Sequence, residues 1–334
     1  MVKILLTGGA GYIGSHTYLA LIAAGFDVVI FDSFSNSKED VTNRLGDLTG
    51  ADVHVVQGDV RNLPDLQAVF ENHKIDGVVH FAALKAVGES VEKPLDYMHT
   101  NVAGLLNLLA VMETAGVRRI VFSSSATVYG DTDVQPIPED HPRTFTSPYA
   151  YTKIAGEQIL EQLSDDWAVG ILRYFNPVGA HESAMIGEDP ENIPNNLMPY
   201  IAKVAMGELE QLAVFGDDYD TPDGTGVRDY IHVEDLADGH VLSIRALLDT
   251  GESHTVNLGT GEGSTVLDVV NAYGEACGKD LNYRIAPRRN GDVAVLTARP
   301  EKAKSQLGFE AKRTLADMCT SSWNWVNGQR KNSR

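Results

Sequence analysis

A tyrosine and a lysine four residues apart have the spacing of an acid/base pair. Tyr149 and Lys153 lie in the segment Ser-Pro-Tyr-Ala-Tyr-Thr-Lys, which reads as the start of a helix, and this spacing puts both side chains on one helix face. A nearby ammonium favours a phenolate, so we expect the pKa of Tyr149 to fall below its usual ~10. Tyr149 would then exchange protons near neutral pH, with Ser125 holding a substrate hydroxyl. The same spacing also arises by chance on solvated helix faces, so its meaning depends on the surrounding elements.

Short apolar runs alternate with longer segments of helical period along the first half of the chain. Strands are predicted at Lys3–Thr7, Asp27–Phe31, Val53–Val56, Val78–Ala82, Ile120–Ser123 and Val169–Arg173, and helices at Ser15–Ala24, Pro64–Asn72 and Asp96–Ala115. This alternation predicts an α/β fold with a doubly wound parallel sheet. Ligands of such sheets bind beyond the carboxyl ends of the strands, where the candidate residues fall.

Three glycines follow the first predicted strand and lead into the first predicted helix. Gly8 permits a tight turn, Gly11 lets the backbone approach a pyrophosphate, and Gly14 lets the helix pack on the sheet. The spacing is G-x-x-G-x-x-G, a variant found in folds like those of the short-chain dehydrogenases. Its position between a strand and a helix predicts a Rossmann-type dinucleotide site, and a positively charged nicotinamide ring would further favour the Tyr149 phenolate.

Asp32 directly follows the second predicted strand, at a position where a carboxylate binds the adenosine ribose hydroxyls and repels a phosphate. No arginine follows it in 33–36, so the sequence predicts NAD rather than NADP. Asp32 could instead be an ordinary residue at the start of a loop, and Asp59, which suits an adenine contact, could be an ordinary turn residue.

A change in composition after Asn176 predicts two domains. Residues 1–176 would form the NAD-binding domain, and residues 177–334, rich in Gly, Pro, Asn and Asp, would form a smaller C-terminal substrate-binding lobe. The segment 228–250 reads as a strand, a turn and an amphipathic helix, and we expect it to return to the first domain.

Composition narrows the classes of partner. The 334 residues carry a net charge of −19, which disfavours nucleic acid as a partner. Two cysteines cannot build a disulfide framework or a cysteine metal site, and we expect no metal. No run approaches the ~20 apolar residues that a membrane span needs, and no signal peptide is evident. We therefore expect a cytoplasmic protein without membrane partners.

Seven motifs together resemble one family. They are TGGAGYIGSH, HFAALKAVGESV, FSSSATVYG, SPYAYTK, LRYFNPVGAH, IPNNLMPYI and GTGVRDYIHVEDLADGH. In this order they resemble the UDP-glucose 4-epimerases, also called UDP-galactose 4-epimerases, of the extended short-chain dehydrogenase/reductase family. The resemblance implies that Tyr149 removes the proton of the sugar 4-hydroxyl while hydride passes from carbon 4 to NAD. The 4-keto sugar turns over, and hydride returns to its other face.

The resemblance also implies site residues. The catalytic residues would be Tyr149, Lys153 and Ser125. The cofactor residues would be Gly8, Gly11, Tyr12, Ile13, Gly14, Asp32, Ser33, Phe34, Ser35, Asn36, Ser37, Asp59, Val60, Phe81, Ala82, Ala83, Leu84, Lys85, Asn101, Tyr149, Lys153 and Phe175. The UDP-sugar residues would be Ser125, Tyr149, Asn176, Asn196, Leu197, Ala213, Val214, Phe215, Arg228, Arg289, Asp292 and Leu296.

Several of these positions also have a purely structural explanation. Lys85 reads equally as a surface lysine, and Asn101 as a core residue that satisfies backbone groups, beside Thr100 where some relatives carry a second Asn. Arg228 would as readily pair with a neighbouring carboxylate. Leu296 occupies the position that limits sugar size, and its intermediate bulk leaves N-acetylated sugars open.

Three rival functions differ in what they require. A nucleotide-sugar 4,6-dehydratase needs an Asp-Glu pair after the serine, but Ala126-Thr127 follow Ser125. A 4-epimerase of another nucleotide sugar, such as a UDP-N-acetylhexosamine or a UDP-uronic acid, would share the catalytic residues. A non-catalytic NAD-sensing regulator would not need Ser125, Tyr149 and Lys153 together. The resemblance further implies a homodimer formed through helices in 96–115 and 149–163.

Overall fold

The computed structural model describes residues 1–189, 196–289 and 292–332 of the chain. Residues 190–195, 290–291 and 333–334 lie outside the description, including the first three residues of the predicted motif IPNNLMPYI. The strands are β1 Lys3–Thr7, β2 Asp27–Asp32, β3 His54–Gln57, β4 Gly77–His80, β5 Arg119–Ser125, β6 Ala168–Tyr174, β7 Asn176–Val178, β8 Leu212–Phe215, β9 Val227–His232, β10 His254–Leu258, β11 Gly263–Thr265, β12 Tyr283–Ala286 and β13 Val295–Leu296.

The helices connect these strands. They are α1 Tyr12–Ala23, α2 Asp40–Thr49, α3 Leu63–Asn72, α4 Val87–Glu92, α5 Pro94–Tyr97, α6 Gly104–Ala115, α7 Pro148–Leu160, α8 Leu197–Met206, α9 Val233–Thr250, α10 Val266–Cys277, α11 Glu301–Leu307 and α12 Leu315–Asn332. A π-helical segment, Met98–Ala103, joins α5 to α6, and a 3₁₀ turn, Ala126–Tyr129, follows β5. Within the described residues, no helix combines the length and apolar character that crossing a membrane requires.

The main sheet has seven parallel strands in the order β10-β6-β5-β4-β1-β2-β3. This confirms the predicted α/β, Rossmann-type fold. The strand order reverses beside β1, and the crevice at such a reversal is where doubly wound sheets bind ligands.

Alternate side chains of β1 enter two separate cores, one on each face of the sheet. Ile4 and Leu6 pack with α1 and α9 residues, and Leu5 packs with residues of α3 and α6. A parallel sheet covered on both faces in this way has strands that are almost continuously apolar. That is why the first strands could be predicted from the sequence.

The predicted helix over 96–115 is not continuous. Pro94 begins the short α5, the backbone then widens into the π-helical segment, and α6 begins only at Gly104. Asn101 lies in this segment, 4% exposed. Its side chain bonds to the Leu84 N–H and carbonyl at 2.8 and 2.9 Å and to the Thr152 hydroxyl at 3.0 Å. The wider turn thus coincides with a buried side chain that ties three segments together.

The chain returns to the main sheet after β9. Helix α9 packs against α1, β4, β5 and β6, and β10 then adds an outer strand beside β6. A third core, formed largely by α8, α10, α12, β8 and β9, lies apart from the two sheet cores. Two smaller sheets, β11-β9-β13 with β7 beside β9, and β12-β8, accompany it.

Candidate active site

The glycine turn builds a cradle between β1 and α1. Gly8 has φ +70°, and a Cβ there would lie 2.7 Å from the Ala82 nitrogen, while a Cβ at Gly14 would lie 2.4 Å from the Gly8 oxygen. Both positions are therefore closed by backbone, which lets α1 pack tightly on the sheet. A Cβ at Gly11 would meet only the Gly8 oxygen, at 3.3 Å, among the described residues.

The amino end of α1 faces the space that Gly11 leaves open. Gly11 is the N-cap, no side chain of the described chain caps the helix, and its first turn carries no acidic residue. The first N–H groups of a helix and its dipole favour an anion at such an end. The cradle therefore fits the pyrophosphate of a dinucleotide.

Asp32 organises the loop beside this cradle. Its Oδ2 accepts a hydrogen bond from the Ala10 N–H at 2.9 Å, and its Oδ1 accepts from the Phe34 N–H at 2.9 Å and the Ser37 hydroxyl at 3.1 Å. Asp32 therefore stabilises the start of the loop and also lies next to the glycine cradle. Ser33 and Ser35 share a hydroxyl bond of 3.1 Å in the same loop.

Other predicted cofactor residues line the same edge or support it. Asp59 is held by Arg61, whose hydrogen bonds lower the pKa of that carboxyl. Phe81 packs its ring 4.7 Å from that of His240. Lys85 is half exposed and lies 3.5 Å from Glu188.

Several other predicted cofactor residues contact distant parts of the chain. Val60 is buried against Gly104, where a Cβ would lie 2.7 Å from it, and the Tyr12 hydroxyl donates to the Gly179 carbonyl at 2.7 Å. Asn101 bonds to backbone and to Thr152, so its contacts match the core reading. Ile13, Asn36 and Ala83 belong to these same segments.

The structure brings Tyr149, Lys153 and Ser125 together beyond β5. Ser147 caps α7 through the Ala150 N–H at 3.2 Å, which places Tyr149 in the first turn and Lys153 one turn later. Lys153 is 4% exposed, donates to the Ser123 carbonyl at 2.7 Å, and lies 5.9 Å from the Tyr149 ring centroid. Tyr149 is 9% exposed. The solvated-face reading of the pair is therefore excluded.

The pKa of Tyr149 does not fall as the sequence predicted from the nearby lysine charge. Burial raises the pKa of Tyr149 to about 12, and a hydrogen bond with Ser125 partly opposes this rise. Burial lowers the pKa of Lys153 to about 8, although the carboxylate of Glu157 raises it. In the protein chain by itself, desolvation of the phenolate is the largest effect on the pKa of Tyr149.

Arg228 lies on β9 and is held by backbone carbonyl groups. Its Nη1 donates to the Val227 and Val293 carbonyls at 2.8 and 2.9 Å, and within the described residues it forms no ion pair. Burial lowers the pKa of this guanidinium, and Asp292 opposes the effect. The described residues thus show no ion pair between Arg228 and a carboxylate, although the charge of Asp292 acts on its guanidinium.

Arg289, Asp292 and Phe215 form a second part of the predicted UDP site. Arg289 Nε donates to Asp292 at 2.8 Å, and its guanidinium lies 4.8 Å from the centroid of the Phe215 ring. Phe215 is 38% exposed at the end of β8, which also holds Ala213 and Val214. An exposed aromatic ring with an arginine over it suits a planar base or a phosphate.

Leu296 lies between Arg228 of the predicted UDP site and the residues around Ser125. It pairs with Arg228 across β13 and β9, and it packs on the cluster that contains Phe175 and Ala126, directly after Ser125. Asn176 begins β7. Asn196 occupies the N-cap position of α8, before Leu197, but in the part of the chain that the structure describes its side chain makes no capping hydrogen bond and instead donates to Glu188 at 2.8 Å.

Sequence reasoning did not single out two acidic residues of the site. Glu157 follows Lys153 by four residues, so the spacing that suggested the acid/base pair would also have found it. Glu188 contacts Lys85 and Asn196 from an irregular stretch, where no periodic pattern could have shown it.

Comparisons with known proteins agree with this geometry. The model of the family described as GDP-mannose 4,6 dehydratase matches residues 5–322. The chain is 52% identical to the UDP-glucose 4-epimerase of Bacillus subtilis (strain 168), with 98% of each chain covered, and 52% identical to that of Yersinia pestis, with 96% of each covered.

Solved structures are similar over the same length. A UDP-glucose 4-epimerase from Stenotrophomonas maltophila, crystallised with NAD and formylated UDP-arabinopyranose, has a TM-score of 0.97 and 49% identity, covering 99% of this chain and 100% of that one. The enzyme of Bifidobacterium longum, in complex with NAD+ and UDP, has a TM-score of 0.93 and 48% identity, covering 98% and 99%.

Proposed function

This chain belongs to the UDP-glucose 4-epimerase family of extended short-chain dehydrogenases/reductases, and we propose from that premise that it interconverts UDP-galactose and UDP-glucose. It is an NAD-dependent isomerase that inverts carbon 4 of the sugar. The observation that carries the proposal is the joint burial of Tyr149 and Lys153 beside Ser125 at the carboxyl end of β5. Burying ionisable groups in a ligand crevice reduces the stability of the fold, and such groups are concentrated at active sites. Their presence favours an enzyme over a non-catalytic NAD-sensing regulator.

The residues present fit NAD. The open side of Gly11 and the uncapped end of α1 would hold the pyrophosphate, and Asp32 would accept the ribose hydroxyls. When bound, NAD would supply the acceptor for the hydride of carbon 4 and the donor for its return, so that a 4-keto sugar would separate the two transfers. The predicted contacts of Phe81–Lys85 and Phe175 remain part of this proposal.

Tyr149 would accept the proton of the sugar 4-hydroxyl and later return it. Ser125, which hydrogen-bonds to Tyr149, would hold that hydroxyl in line with the phenol. Lys153 would favour the phenolate through its charge, and the Ser123 carbonyl fixes the direction of its ammonium. The low exposure of both side chains keeps water from the transferred proton.

The UDP part of the substrate would lie against the second lobe. Arg228 has no carboxylate partner among the described residues and could hold the diphosphate, while Phe215 and Arg289 suit the base. Leu296 would form the wall beside the sugar. The dehydratase reading lacks support because Ala126 and Thr127 follow Ser125 where the required acids would stand.

We also propose a homodimer. The faces of α4 to α7 that point away from the sheet expose several large apolar side chains, namely Val91 at 63%, Leu95 at 79%, Leu106 at 49% and Tyr151 at 42%. Apolar exposure concentrated on neighbouring helices is typical of an interface. The predicted dimer helices fall in this region.

Two further proposals concern organisation and location. We propose a cofactor domain of residues 1–176 joined by 228–250, and a substrate lobe from the rest of 177–334; the packing of α9 on α1 and the separate third core support this division. We propose that the protein acts in the cytoplasm, which agrees with free thiols at Cys277 and Cys319.

The test is turnover without added cofactor. Purified protein mixed with UDP-galactose should form UDP-glucose, measured by chromatography, because NAD is regenerated in each cycle. Tyr149→Phe should keep its NAD and lose activity by a factor of roughly 10²–10⁴, the usual contribution of a general acid/base. No conversion by wild-type protein with NAD bound would refute the proposed reaction, and near-normal rates in the variant would place the base elsewhere.

A further inference from the structure

Helix α7 carries a third polar side chain on the face that holds Tyr149 and Lys153. We propose that this residue, Glu157, is a positioning residue that holds Lys153 in place and in its charged form during the reaction. The inference rests on the proposed function. Four-residue steps keep these three side chains on one face of the helix.

Glu157 is completely buried and all of its hydrogen-bonding capacity is used. Its Oε1 accepts from the Ser124 hydroxyl at 2.5 Å and from Arg173 Nε at 2.8 Å. Its Oε2 accepts from Arg173 Nη2 at 2.6 Å and from Arg143 Nη1 at 3.0 Å. A buried carboxylate that accepts from four donors keeps a fixed orientation.

These bonds join α7 to the strand that ends at the reaction site. Ser124 lies between Ser123, whose carbonyl accepts from Lys153, and Ser125. A Cβ at Gly156 would lie 2.5 Å from the Phe122 ring, so α7 approaches β5 closely between Lys153 and Glu157. The grip of Glu157 on Ser124 therefore fixes the position of α7 on β5, and with it the ammonium of Lys153.

The charges around Lys153 give Glu157 a second effect. From α7 itself the neighbours are Tyr149 and Glu157, and from β4 the neighbour is His80, which is neutral because burial lowers its pKa to about 3. From β5 the Phe122 ring lies 5.1 Å from the ammonium. Glu157 is the carboxylate that raises the pKa of Lys153, and it thus favours the ammonium against burial.

The groups around Tyr149 and behind Glu157 complete this environment. Tyr97 of α5 packs its ring 6.5 Å from that of Tyr149 and bonds to Glu89 of α4, and Tyr174 of β6 also faces Tyr149. Two cations lie behind Glu157, namely Arg173 of β6 and Arg143, and Arg143 also pairs with Glu161. Removing the carboxylate would take an anion from Lys153 and leave the Arg173 cation unbalanced, and both changes would release the lysine proton more easily.

The experiment compares Glu157→Gln with Glu161→Gln. Glu161 is the C-cap of α7, four residues after Glu157, and it also binds Arg143. It is 41% exposed and contacts neither Ser124 nor Arg173 among the described residues, so it is a matched control. The protonation of Lys153 is followed by the NMR shift of its ¹³C-labelled Cε, identified with Lys153→Met. Turnover of UDP-galactose is measured over the same pH range.

We expect the midpoint of Lys153 to fall by about one pH unit in Glu157→Gln, an order of magnitude set by a charge about one helical turn away. The pH at which turnover falls on the alkaline side of the profile should decrease by the same amount. Above that pH, the activity of the variant should be about tenfold lower than that of the wild type. Glu161→Gln should change neither. Glu157→Asp should restore part of the shift, which a merely structural role would not produce.

If Glu157→Gln fails to fold, the double variant Glu157→Gln/Arg173→Met removes both buried charges and should fold. Its Lys153 midpoint should lie below that of the wild type. An unchanged midpoint in either folded variant, or an equal shift in Glu161→Gln, overturns the inference. Failure of the wild-type protein to turn over UDP-galactose would instead refute the proposed function, because the NMR midpoint does not depend on turnover.

Discussion

Gly11→Ala should separate cofactor binding from folding. The backbone of Gly11 has φ −72° and ψ 175°, which alanine adopts without strain, and among the described residues the added Cβ meets only the Gly8 oxygen, at 3.3 Å. The alanine is a poorer N-cap than glycine but restricts the unfolded chain, and the two effects are each below about 1 kcal/mol and opposite in sign. The free energy of unfolding of the NAD-free protein should therefore change little.

Gly14→Ala is the matched comparison. Its Cβ would lie 2.4 Å from the Gly8 oxygen and 2.7 Å from the Gly9 Cα, so backbone must move. Overpacking of this kind costs about 1–3 kcal/mol. For a chain of 334 residues, whose entropy of unfolding is about 0.7 kcal/mol/K, this corresponds to a fall in Tm of about 1.5–4 °C. Gly14→Ala should thus be destabilised before any cofactor is added.

Calorimetric Tm values without and with saturating NAD distinguish the two variants. Gly11→Ala should keep the Tm of the NAD-free protein within about 1 °C and lose most of the increase that NAD produces, because stabilisation by a ligand follows its affinity. Bound NAD per chain, released by denaturation and quantified by chromatography, should fall in parallel. Wild-type NAD content in Gly11→Ala would refute the idea that the missing Cβ makes room for the pyrophosphate.

Two further variants test the charges of the site. The folded pKa of Lys153 is about 8 against the ordinary 10.5, so the cost of burying its ammonium is fully present below pH 8 and is lost as pH rises to about 10.5. Lys153→Met should therefore unfold in urea with up to about 3 kcal/mol more stability at pH 7 and a shrinking advantage toward pH 10; a less stable variant at pH 7 would contradict the direction of this shift. Arg228→Ala should weaken UDP binding in calorimetry by roughly 10–150-fold, the value of a charged hydrogen bond, with unchanged NAD content; equal affinity would remove Arg228 from the site.

Local sequence patterns were sufficient to predict the strands that are buried on both faces of the sheet. Lys3–Thr7 is a strand at its predicted bounds, because each of its apolar side chains has a core to enter. His254–Leu258 was not predicted as a strand, since its short run acquires meaning only by pairing with β6, more than eighty residues earlier. The π-helical segment likewise depends on bonds from Asn101 to residues 17 and 51 positions away.

The site shows the same division. The glycine turn and the pair Tyr149 and Lys153 could be found because their spacing is local. The partners of Glu157 could not, because Arg143 and Arg173 approach it from a loop and from another strand. The pKa of Tyr149 was expected to fall because only charges were counted, whereas its burial is a property of the folded chain.

That burial has a consequence for how the proton moves. With pKa values of about 12 for Tyr149 and about 8 for Lys153, raising the pH of the protein alone would remove the lysine proton first. Tyr149 can ionise beside a charged Lys153 only if another positive charge lies close to the phenol while Glu157 keeps the ammonium protonated. Oxidised NAD carries that charge and NADH does not. The pKa of Tyr149 should therefore be lower before hydride transfer, when the cofactor is oxidised, than after it. Because the site is buried and excludes water, proton transfer at Tyr149 is coupled to hydride transfer.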